Sequence, residues 1–535
     1  MNYNNSKKAV FLPVMLGISL AIGVVIGRYL PGNVELPRNS NIRSRNDKLN
    51  SILNIVESNY VDSVNRSDLE EAAIPAILKK LDPHSLYIPA KDLARANEPL
   101  QGNFDGIGIS FNMLTDTILV INTIPGGPSE KLGLMPGDKI LYVNDSLVAG
   151  RHISDEKVMS LLKGPRGTVV KIKILRNGHK ELLPFEIIRD KIPMYSIDVD
   201  YMVNNYIGYI RINNFAMTTA DEFMKGLREL KSQGMTSLIL DLRGNSGGIM
   251  EAAVQIANQF LAEGQLIVYT KGRAQPRSEA RATGKGEFET GGLVILIDEM
   301  SASASEILAG AIQDNDRGTI IGRRSFGKGL VQEPVSFADG SGMRLTIARY
   351  YTPTGRSIQK PYKDGFDKYY DDLHERGIRG EFEVSDSIHF SDSLKFTTPG
   401  GRVVYGGGGI MPDKFVPVDT SGVSSYFFKV RSLIYRFALK YTEGNREQLK
   451  KFTEAGEMEE FLDKQALLDQ FVQYAAVNGI KKDPEGLKIS GDIIHTQIKA
   501  YIARNIQDNK GFYPIWEHID TTLKYAIDYL NKDKR

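Results

Sequence analysis

Two short and almost uninterrupted apolar runs, residues 238–242 and 293–297, constrain the fold of this chain more than any other feature. Runs of Leu, Ile and Val of this length are typical of strands that are buried on both faces of a parallel sheet. Each run is followed by a glycine- or serine-rich turn and then by a helical pattern. The alternation of strand and helix places this part of the chain in the α/β class.

The length of 535 residues predicts two to four folded units, and 41% hydrophobic residues supply material for their cores. Lys and Arg number 67 against 65 Asp and Glu, so the net charge of +2 gives no reason to expect nucleic acid as a partner. Because cysteine is absent, disulfides, thiolate metal sites, a cysteine nucleophile and lipid attachment at cysteine are excluded.

The N-terminal region contains a segment that is long enough to cross a membrane. Residues 9–27 carry no charge and follow Lys7 and Lys8, and at about 1.5 Å per residue they span roughly the hydrocarbon layer. No Ala-x-Ala-like site follows, so an uncleaved signal anchor at residues 9–28 is favoured over a cleaved signal peptide. Basic residues flank both ends of the segment, so the charge distribution does not decide its orientation.

Changes of pattern divide the rest of the chain. Short apolar runs between glycine turns predict a small β domain, whereas apolar stripes at helical spacing near the C-terminus predict a helical region. The predicted divisions are an N-terminal tail at 1–8, the anchor at 9–28, a linker and helical region at 29–96, the β domain at 97–188, the α/β core at 189–420 with a polar insertion at 360–400, and the helical region at 421–535.

Three serines within residues 301–305 lie where the second apolar run passes into a helix. The backbone N–H groups at a helix N-terminus are free and carry partial positive charge, which favours a bound oxyanion. Ser303 is therefore a candidate nucleophile, and the free N–H groups beside it are suited to stabilise an oxyanion. Taken alone, however, the three serines are better explained as helix caps.

Lys328 lies between two glycines, and Gln332 follows four residues later. If its amine is buried, the pKa falls from about 10.4, and only a neutral amine accepts the proton of a serine. On an extended strand Gln332 faces the same side as Lys328 and is able to orient the amine. An exposed hairpin lysine is the alternative interpretation.

A glycine-rich loop at residues 241–248 follows the first apolar run, at the sheet edge where α/β proteins bind ligands. It lacks the spacing of a phosphate-binding P-loop. The loop fits an oxyanion hole better, formed by Gly247 or Gly248 together with Ala304.

The pattern Ser-Ala-Ser-Ala-Ser-Glu at 301–306, followed by Phe-Gly-Lys-Gly-x-Val-Gln at 326–332, resembles the C-terminal processing peptidases, or tail-specific proteases, of family S41. The resemblance implies that Ser303 is the nucleophile, Lys328 the general base and Gln332 the residue that orients the base. It also implies a ClpP/crotonase-like core and no cofactor. Further similar segments lie at residues 81–85, 241–245, 351–358 and 409–413.

The resemblance also identifies residues 97–188 as an inserted PDZ domain, which binds peptide C-termini through backbone N–H groups and strand pairing. Its carboxylate-binding loop would be formed by Gly106, Ile107, Gly108 and Ile109. Lys163 stands where the family often has an arginine. Lysine lacks the planar fork through which an arginine would couple the PDZ domain to the active site.

The sequence therefore predicts a multidomain α/β protein with a ClpP/crotonase-like protease core, an inserted PDZ β-domain and helical N- and C-terminal regions. The resemblance implies a serine endopeptidase that acts on proteins with free, apolar C-termini. It also implies a cytoplasmic N-terminal tail, an anchor in the inner membrane, and a catalytic domain on the periplasmic or extracytoplasmic side of the cell envelope. The terminal helical regions are candidate interfaces of a homo-oligomer.

Two other functions remain open: a PDZ scaffold on a catalytically silent core, and a Ser–Lys amidase that acts on small amides. His84 is a second candidate base, but a structural histidine is the favoured interpretation. The seven histidines show no metal-binding spacing, so no metal site is predicted.

Overall fold

The computed structural model describes residues 48–113, 116–388 and 391–533. The tail and anchor predicted at residues 1–28 lie outside the described residues, and both stay predictions. Within these ranges, no helix is long and apolar enough to cross a membrane.

The chain divides into two units between residues 74 and 75. Helix α1 spans Lys48–Asn59 and helix α2 spans Arg66–Leu78. In the first unit Arg66 donates hydrogen bonds to Asn54 on α1 and to Glu70 one turn further along α2. These contacts join the two helices at their polar faces.

The β domain follows two short elements that belong to the core. The elements up to residue 193 are β1 (Leu86–Ile88), α3 (Ala90–Gln101), β2 (Asn103–Gly106), β3 (Ile109–Asn112), β4 (Ile118–Thr123), α4 (Pro128–Lys131), β5 (Lys139–Val143), β6 (Ser146–Leu147), α5 (Asp155–Leu162), β7 (Val169–Leu175), β8 (Leu183–Ile188) and β9 (Asp190–Pro193).

An antiparallel sheet in the order β3–β4–β5–β7–β8 forms this domain, with β6 beside β5. Val170, Ile172 and Ile174 alternate along β7 with exposed residues, so one face of the strand enters the core of the domain. Strand β2 pairs antiparallel with β9. The chain therefore enters and leaves the domain at adjacent positions.

The α/β core contains two large sheets and one small two-stranded sheet. Its elements are β10 (Ile197–Met202), β11 (Ile207–Ile212), α6 (Thr219–Ser232), β12 (Ser237–Asp241), α7 (Met250–Ala257), β13 (Leu266–Lys271), β14 (Ser278–Arg281), β15 (Gly292–Ile297), α8 (Ala304–Asp314), β16 (Thr319–Gly322), β17 (Leu330–Ser336), β18 (Gly342–Tyr351), α9 (Phe366–Ile378), β19 (Lys395–Thr397), β20 (Val403–Tyr405) and β21 (Lys414–Phe415).

The larger sheet has the order β10–β11–β12–β15–β16–β21 and is parallel except for β10. The two apolar runs form β12 and β15 at its centre, as their composition predicts. A second, antiparallel sheet has the order β1–β18–β13–β14, with β17 also paired to β18. Strand β1 precedes the β domain in the chain, so that domain is inserted into the core.

The C-terminal region is helical, as predicted. Its helices are α10 (Ser425–Leu449), α11 (Ala455–Asp463), α12 (Leu467–Val477), α13 (Pro484–Gln507), α14 (Asn509–Trp516) and α15 (Thr521–Asp533). Helices α10 to α14 share an apolar core of their own. Helix α15 instead packs on the larger sheet, where Leu523, Ala526 and Leu530 contact the buried side chains of Ile239 and Leu296.

The two faces of β12 explain this arrangement. Successive side chains of a strand point to opposite faces. Leu238 and Leu240 join the apolar core that contains helices α6, α7 and α8, whereas Ile239 joins the core that contains α15. Helix α15 is therefore part of the layer that covers the second face of the sheet.

Replacing Leu523 with alanine is expected to lower the free energy of unfolding by about 2–5 kcal/mol, because the side chain is 2% exposed and its loss leaves a cavity. The control is Tyr525→Ala on the same helix, since Tyr525 is 43% exposed. Urea-induced unfolding measures both variants. Equal stability of the two would show that α15 does not close the sheet.

Candidate active site

Ser303 lies in the turn between β15 and helix α8, where its φ angle is +54°. A positive φ is unfavourable for a residue with a side chain, and such strain concentrates at functional sites. The glycine loop allows the turn to pack closely, because a Cβ atom on Gly247 would lie 2.7 Å from the Cβ of Ser303. The nucleophile candidate and the loop predicted to bind the oxyanion are therefore in direct contact.

Glu306 joins the serine turn to the lysine loop. One carboxylate oxygen accepts the backbone N–H of Ser303 at 2.8 Å and that of Lys328 at 2.9 Å. The other accepts the hydroxyl of Ser325 at 2.6 Å and the N–H of Gly327 at 2.7 Å. Burial raises the pKa of Glu306 to about 7, and these four donors act in the opposite direction.

Tyr350 makes a second connection between the same two residues. Its buried hydroxyl lies 3.1 Å from the carbonyl oxygen of Ser303 and 2.5 Å from that of Lys328. Ser303 and Lys328 are therefore held together through their N–H groups by Glu306 and through their carbonyl groups by Tyr350. The two motifs are therefore connected through both side chains.

The amine of Lys328 is largely shielded from water and donates a hydrogen bond to Oε1 of Gln332 at 3.2 Å. Burial lowers the pKa of Lys328 and the charge of Arg344 lowers it further, whereas Glu306 and Asp82 raise it. A lowered pKa favours the neutral amine that a general base requires. Across the described ranges, no hydrogen bond joins this amine to the hydroxyl of Ser303.

His84 supports the lysine indirectly. Its carbonyl oxygen accepts a hydrogen bond from Nε2 of Gln332, and its ring nitrogen Nε2 lies 2.9 Å from the hydroxyl of Tyr369. Burial, assisted by the charge of Lys328, lowers the pKa of His84 to about 4. The ring is therefore neutral at pH 7 and is already occupied by Tyr369, which fits the structural interpretation of this histidine.

The N–H groups around Ser303 differ in their availability. Gly247 N–H donates to Oδ1 of Asn245 at 2.9 Å, so it is already engaged. In the part of the chain that the structure describes, the N–H groups of Gly248 and Ala304 have no hydrogen-bond acceptor. Of the predicted oxyanion donors, Gly248 and Ala304 are therefore the better candidates. Gly247 instead allows the close approach of the Ser303 turn, because it has no side chain.

The loop that carries Gly247 is fixed at its other end by buried charges. Asp241 accepts hydrogen bonds from Tyr209, Arg211 and Arg243. Burial raises the pKa of Asp241, but Arg243 and Arg211 outweigh burial and hold it below its usual range. Arg243 also binds both carboxylate oxygens of Asp520, which precedes helix α15, at 2.8 and 2.7 Å.

The carbonyl groups of the predicted carboxylate-binding loop in the β domain accept hydrogen bonds that hold the loop in place. Ile107 O accepts both the N–H and the hydroxyl of Ser129, and Gly108 O accepts the N–H of Ile124. Gly108 has a φ of +73°, which only glycine adopts easily. Gly106 ends β2 and Ile109 begins β3, so the loop leads directly into the strand predicted to pair with a peptide.

Lys163, which stands in place of an arginine, contacts the helix in front of the domain. Its amine lies 2.6 Å from Oε2 of Glu98 on α3 and 4.2 Å from the ring centre of Phe104. On the same helix, Arg344 of β18 donates to the carbonyl of Ala96. The lysine therefore makes a single-point ion pair in this position rather than a two-point contact.

Among residues 48–113, 116–388 and 391–533, no three His, Asp or Glu side chains lie close enough together to hold a metal ion.

Comparison with known proteins agrees with this geometry. The model of peptidase family S41 matches residues 206–367, and a PDZ-domain model matches residues 106–187. The carboxy-terminal-processing protease of Bartonella bacilliformis is 32% identical over 360 residues, which cover 66% of this chain and 80% of that protein. The chain belongs to peptidase family S41.

Two further relatives are similar over part of their length. The carboxy-terminal processing protease CtpB of Bacillus subtilis is 33% identical over 59% of this chain, and the match spans 65% of the CtpB sequence. The photosystem II D1 C-terminal processing protease is 26% identical, with a TM-score of 0.36, over 70% of this chain and 88% of its own. A family of unknown function matches residues 426–508 in the helical region.

Membership of family S41 confirms the resemblance, the multidomain fold class with a PDZ domain, and the class of serine-type peptidase. The roles of the individual residues stay predictions. Sequence reasoning assigned no role to Glu306, Tyr350 or Tyr369. Glu306 follows Ser303 by three residues, the spacing of a capping box, and that signal was sufficient to find it. The two tyrosines reach the site from distant segments and leave no local signal.

Replacing Glu306 with glutamine is expected to disrupt this S41 site. The glutamine NH2 group takes the place of one carboxylate oxygen, so two of the four hydrogen-bond donors face another donor and lose their acceptor. The free energy of unfolding should fall by about 2–4 kcal/mol, and kcat/KM for an unstructured protein substrate by about 100-fold. The matched control is Glu299→Gln. Glu299 lies in the loop before Ser303, and its carboxylate pairs with Arg323. Wild-type kcat/KM in Glu306→Gln would refute the linking role.

If Lys328 is the general base, as the sequence predicts, the activity is expected to rise with pH as Lys328 loses its proton, with a pKa below the usual value for lysine. Since the charge of Arg344 lowers the pKa of Lys328, Arg344→Met should move this rise to higher pH. Arg349→Met on the same strand is the control, because Arg349 is exposed and hydrogen-bonded to Tyr362. Profiles of kcat/KM against pH measure the effect, and an unshifted Arg344→Met profile would contradict it.

Proposed function

We propose that this chain is a serine endopeptidase of the C-terminal processing type, with Ser303 as nucleophile and Lys328 as general base. The observation that carries the proposal is the double connection of these two residues through Glu306 and Tyr350. The strained backbone of Ser303 and the water-shielded amine of Lys328 support it. A merely capping serine would need neither a partner lysine nor strain.

In the proposed reaction the neutral amine of Lys328 takes the proton of Ser303 as Oγ bonds to the scissile carbonyl carbon. The N–H groups of Gly248 and Ala304 bind the oxyanion. Lys328 then gives its proton to the leaving nitrogen as the C–N bond breaks. Lys328 next takes a proton from a water molecule, whose oxygen bonds to the acyl carbon. As the bond between the acyl carbon and Oγ breaks, Lys328 returns this proton to Oγ of Ser303 and the new C-terminal carboxylate is released. The amine must reach Oγ in the substrate complex, and Gln332 directs it.

We further propose that the PDZ domain selects substrates by a free and apolar C-terminus. The loop from Gly106 to Ile109 would bind the terminal carboxylate, and β3 would pair with the peptide chain. The Bacillus and Bartonella relatives are named as carboxy-terminal processing proteases, which supports this assignment. The anchor at residues 9–28 would hold the enzyme at the membrane, with the peptidase on the extracytoplasmic side and envelope proteins as substrates.

The two alternative functions explain less of the structure. A PDZ scaffold with a silent core needs no strained serine or buried lysine. A Ser–Lys amidase that acts on small amides needs no inserted peptide-binding domain. The possible assembly of two or more chains through the terminal helical regions stays a separate prediction.

The decisive experiment incubates the purified full chain with an unstructured protein that ends in an apolar tail. Ser303→Ala and Lys328→Ala are expected to lower kcat at least about 1,000-fold, because each removes a group that acts in every turnover. Lys271→Ala, which removes an exposed lysine of β13, is expected to keep wild-type activity. Full activity in either active-site variant would refute the proposed catalytic pair.

The same experiment with the substrate C-terminus amidated separates the alternatives. The proposed enzyme is expected to lose affinity for this substrate, seen as a higher KM, because the loop no longer receives a carboxylate. A small-amide hydrolase would be indifferent to the change. A silent scaffold would bind the free tail, cleave neither substrate, and leave Ser303 unlabelled by a fluorophosphonate.

A further inference from the structure

The polar insertion at residues 360–400, to which the sequence assigns no role, packs against the loop that carries Lys328. Arg376 on α9 is 1% exposed, and its guanidinium donates to the carbonyl of Ser325 at 3.0 Å and to that of Arg324 at 2.6 Å. At the start of the insertion, Lys360 N–H donates to the carbonyl of Gly327. The insertion therefore supplies donors to the loop on the N-terminal side of the lysine.

A second contact of the insertion is made by Tyr369, which is 2% exposed. Nε2 of Gln359 donates to the tyrosine oxygen at 3.4 Å, which leaves the hydroxyl proton for Nε2 of His84 at 2.9 Å. Burial keeps the His84 ring neutral at pH 7, and in the tautomer with its hydrogen on Nδ1 the ring accepts this proton at Nε2. Tyr369 thus holds His84 in one orientation.

Two further hydrogen bonds connect His84 with Lys328. The carbonyl oxygen of His84 accepts Nε2 of Gln332, and Oε1 of Gln332 accepts the amine of Lys328 at 3.2 Å. Asp82 fixes the backbone of His84 by accepting its N–H at 2.8 Å. Three hydrogen bonds in series therefore lead from the hydroxyl of Tyr369 to the amine of Lys328.

Charged groups surround the lysine on several elements. Arg344 of β18 lowers the pKa of Lys328, whereas Glu306 of α8 and Asp82 before β1 raise it. The amine of Lys360 pairs with Asp372 at 2.9 Å and lies 4.3 Å from the ring centre of Tyr369. None of these charged groups is a member of the three-bond series, although Asp82 also holds the backbone of His84.

We propose that Tyr369 is a positioning residue for the general base, and that the insertion at 360–400 orients Lys328 through His84 and Gln332. The proposal rests on the proposed role of Lys328. An amine that is displaced by about 1 Å from its productive position loses about 100-fold in rate, so a side chain with many rotamers requires such support. The hydroxyl of Tyr369 has no contact with the substrate in this scheme and acts only through the series.

The test is Tyr369→Phe, which keeps the packed ring and removes only the hydroxyl. We expect kcat to fall about tenfold at pH 7 with KM unchanged. The rise of kcat with pH should move to higher pH, because a less constrained amine gains contact with water and binds its proton more strongly. The matched control is Tyr362→Phe, which removes a hydroxyl of the same insertion that contacts Arg349.

A double-mutant cycle that combines Tyr369→Phe with Gln332→Ala tests whether Tyr369 acts on Lys328 through Gln332. If Tyr369 acts through Gln332, Tyr369→Phe has no further effect on kcat once Gln332 is replaced. Additive losses, or a uniform loss at all pH values without a shift, would overturn the proposal and indicate a structural role alone. Thermal unfolding gives the folded fraction, by which each rate is divided.

The outcome also separates this inference from the proposed function. If Lys328→Ala keeps its activity, the proposed base is wrong and the inference fails with it. If Lys328→Ala is inactive while Tyr369→Phe matches the wild type at every pH, only the positioning role is refuted.

Discussion

The carboxylate of Glu306 accepts the backbone N–H groups of both Ser303 and Lys328, and the rest of the site depends on this arrangement. The serine turn belongs to the parallel sheet, whereas the lysine loop leads into the antiparallel one. A buried acceptor between them stabilises the junction, because each donor left without it would lose a hydrogen bond in a water-poor environment. Tyr350 repeats the connection on the carbonyl side.

Much of this architecture could be predicted from local sequence. The composition of β12 and β15 indicated a buried parallel sheet, and the resemblance of residues 301–306 and 326–332 to family S41 indicated the candidate site. The contacts of Tyr350 and Tyr369 could not be predicted, since they depend on how distant segments pack. The same limit applies to the strained backbone of Ser303: serine at a helix start is common, and its sequence signature does not reveal a positive φ.

The helical C-terminal region shows a related limit of sequence patterns. An apolar stripe shows that a helix buries one face, but not which partner covers it. Helices α10 to α14 share one apolar core, and α14 also contacts strand β10. Helix α15 packs on the sheet, and Asp520 binds Arg243 next to the glycine loop. The boundary between a catalytic core and a C-terminal domain is therefore not a single position in the chain. Helix α15, which is part of the core, follows the other helices of the C-terminal region in the sequence.

This placement of helix α15 has a consequence for biosynthesis. A ribosome makes the chain from its N-terminus, so the serine turn and the lysine loop emerge long before the helix that covers the second face of their sheet. Until residues 520–530 have been made, the core carries an exposed apolar surface, and Arg243 has Asp241 but not Asp520 as a carboxylate partner. The second face of the sheet is therefore covered only after the helices of the C-terminal region have been made.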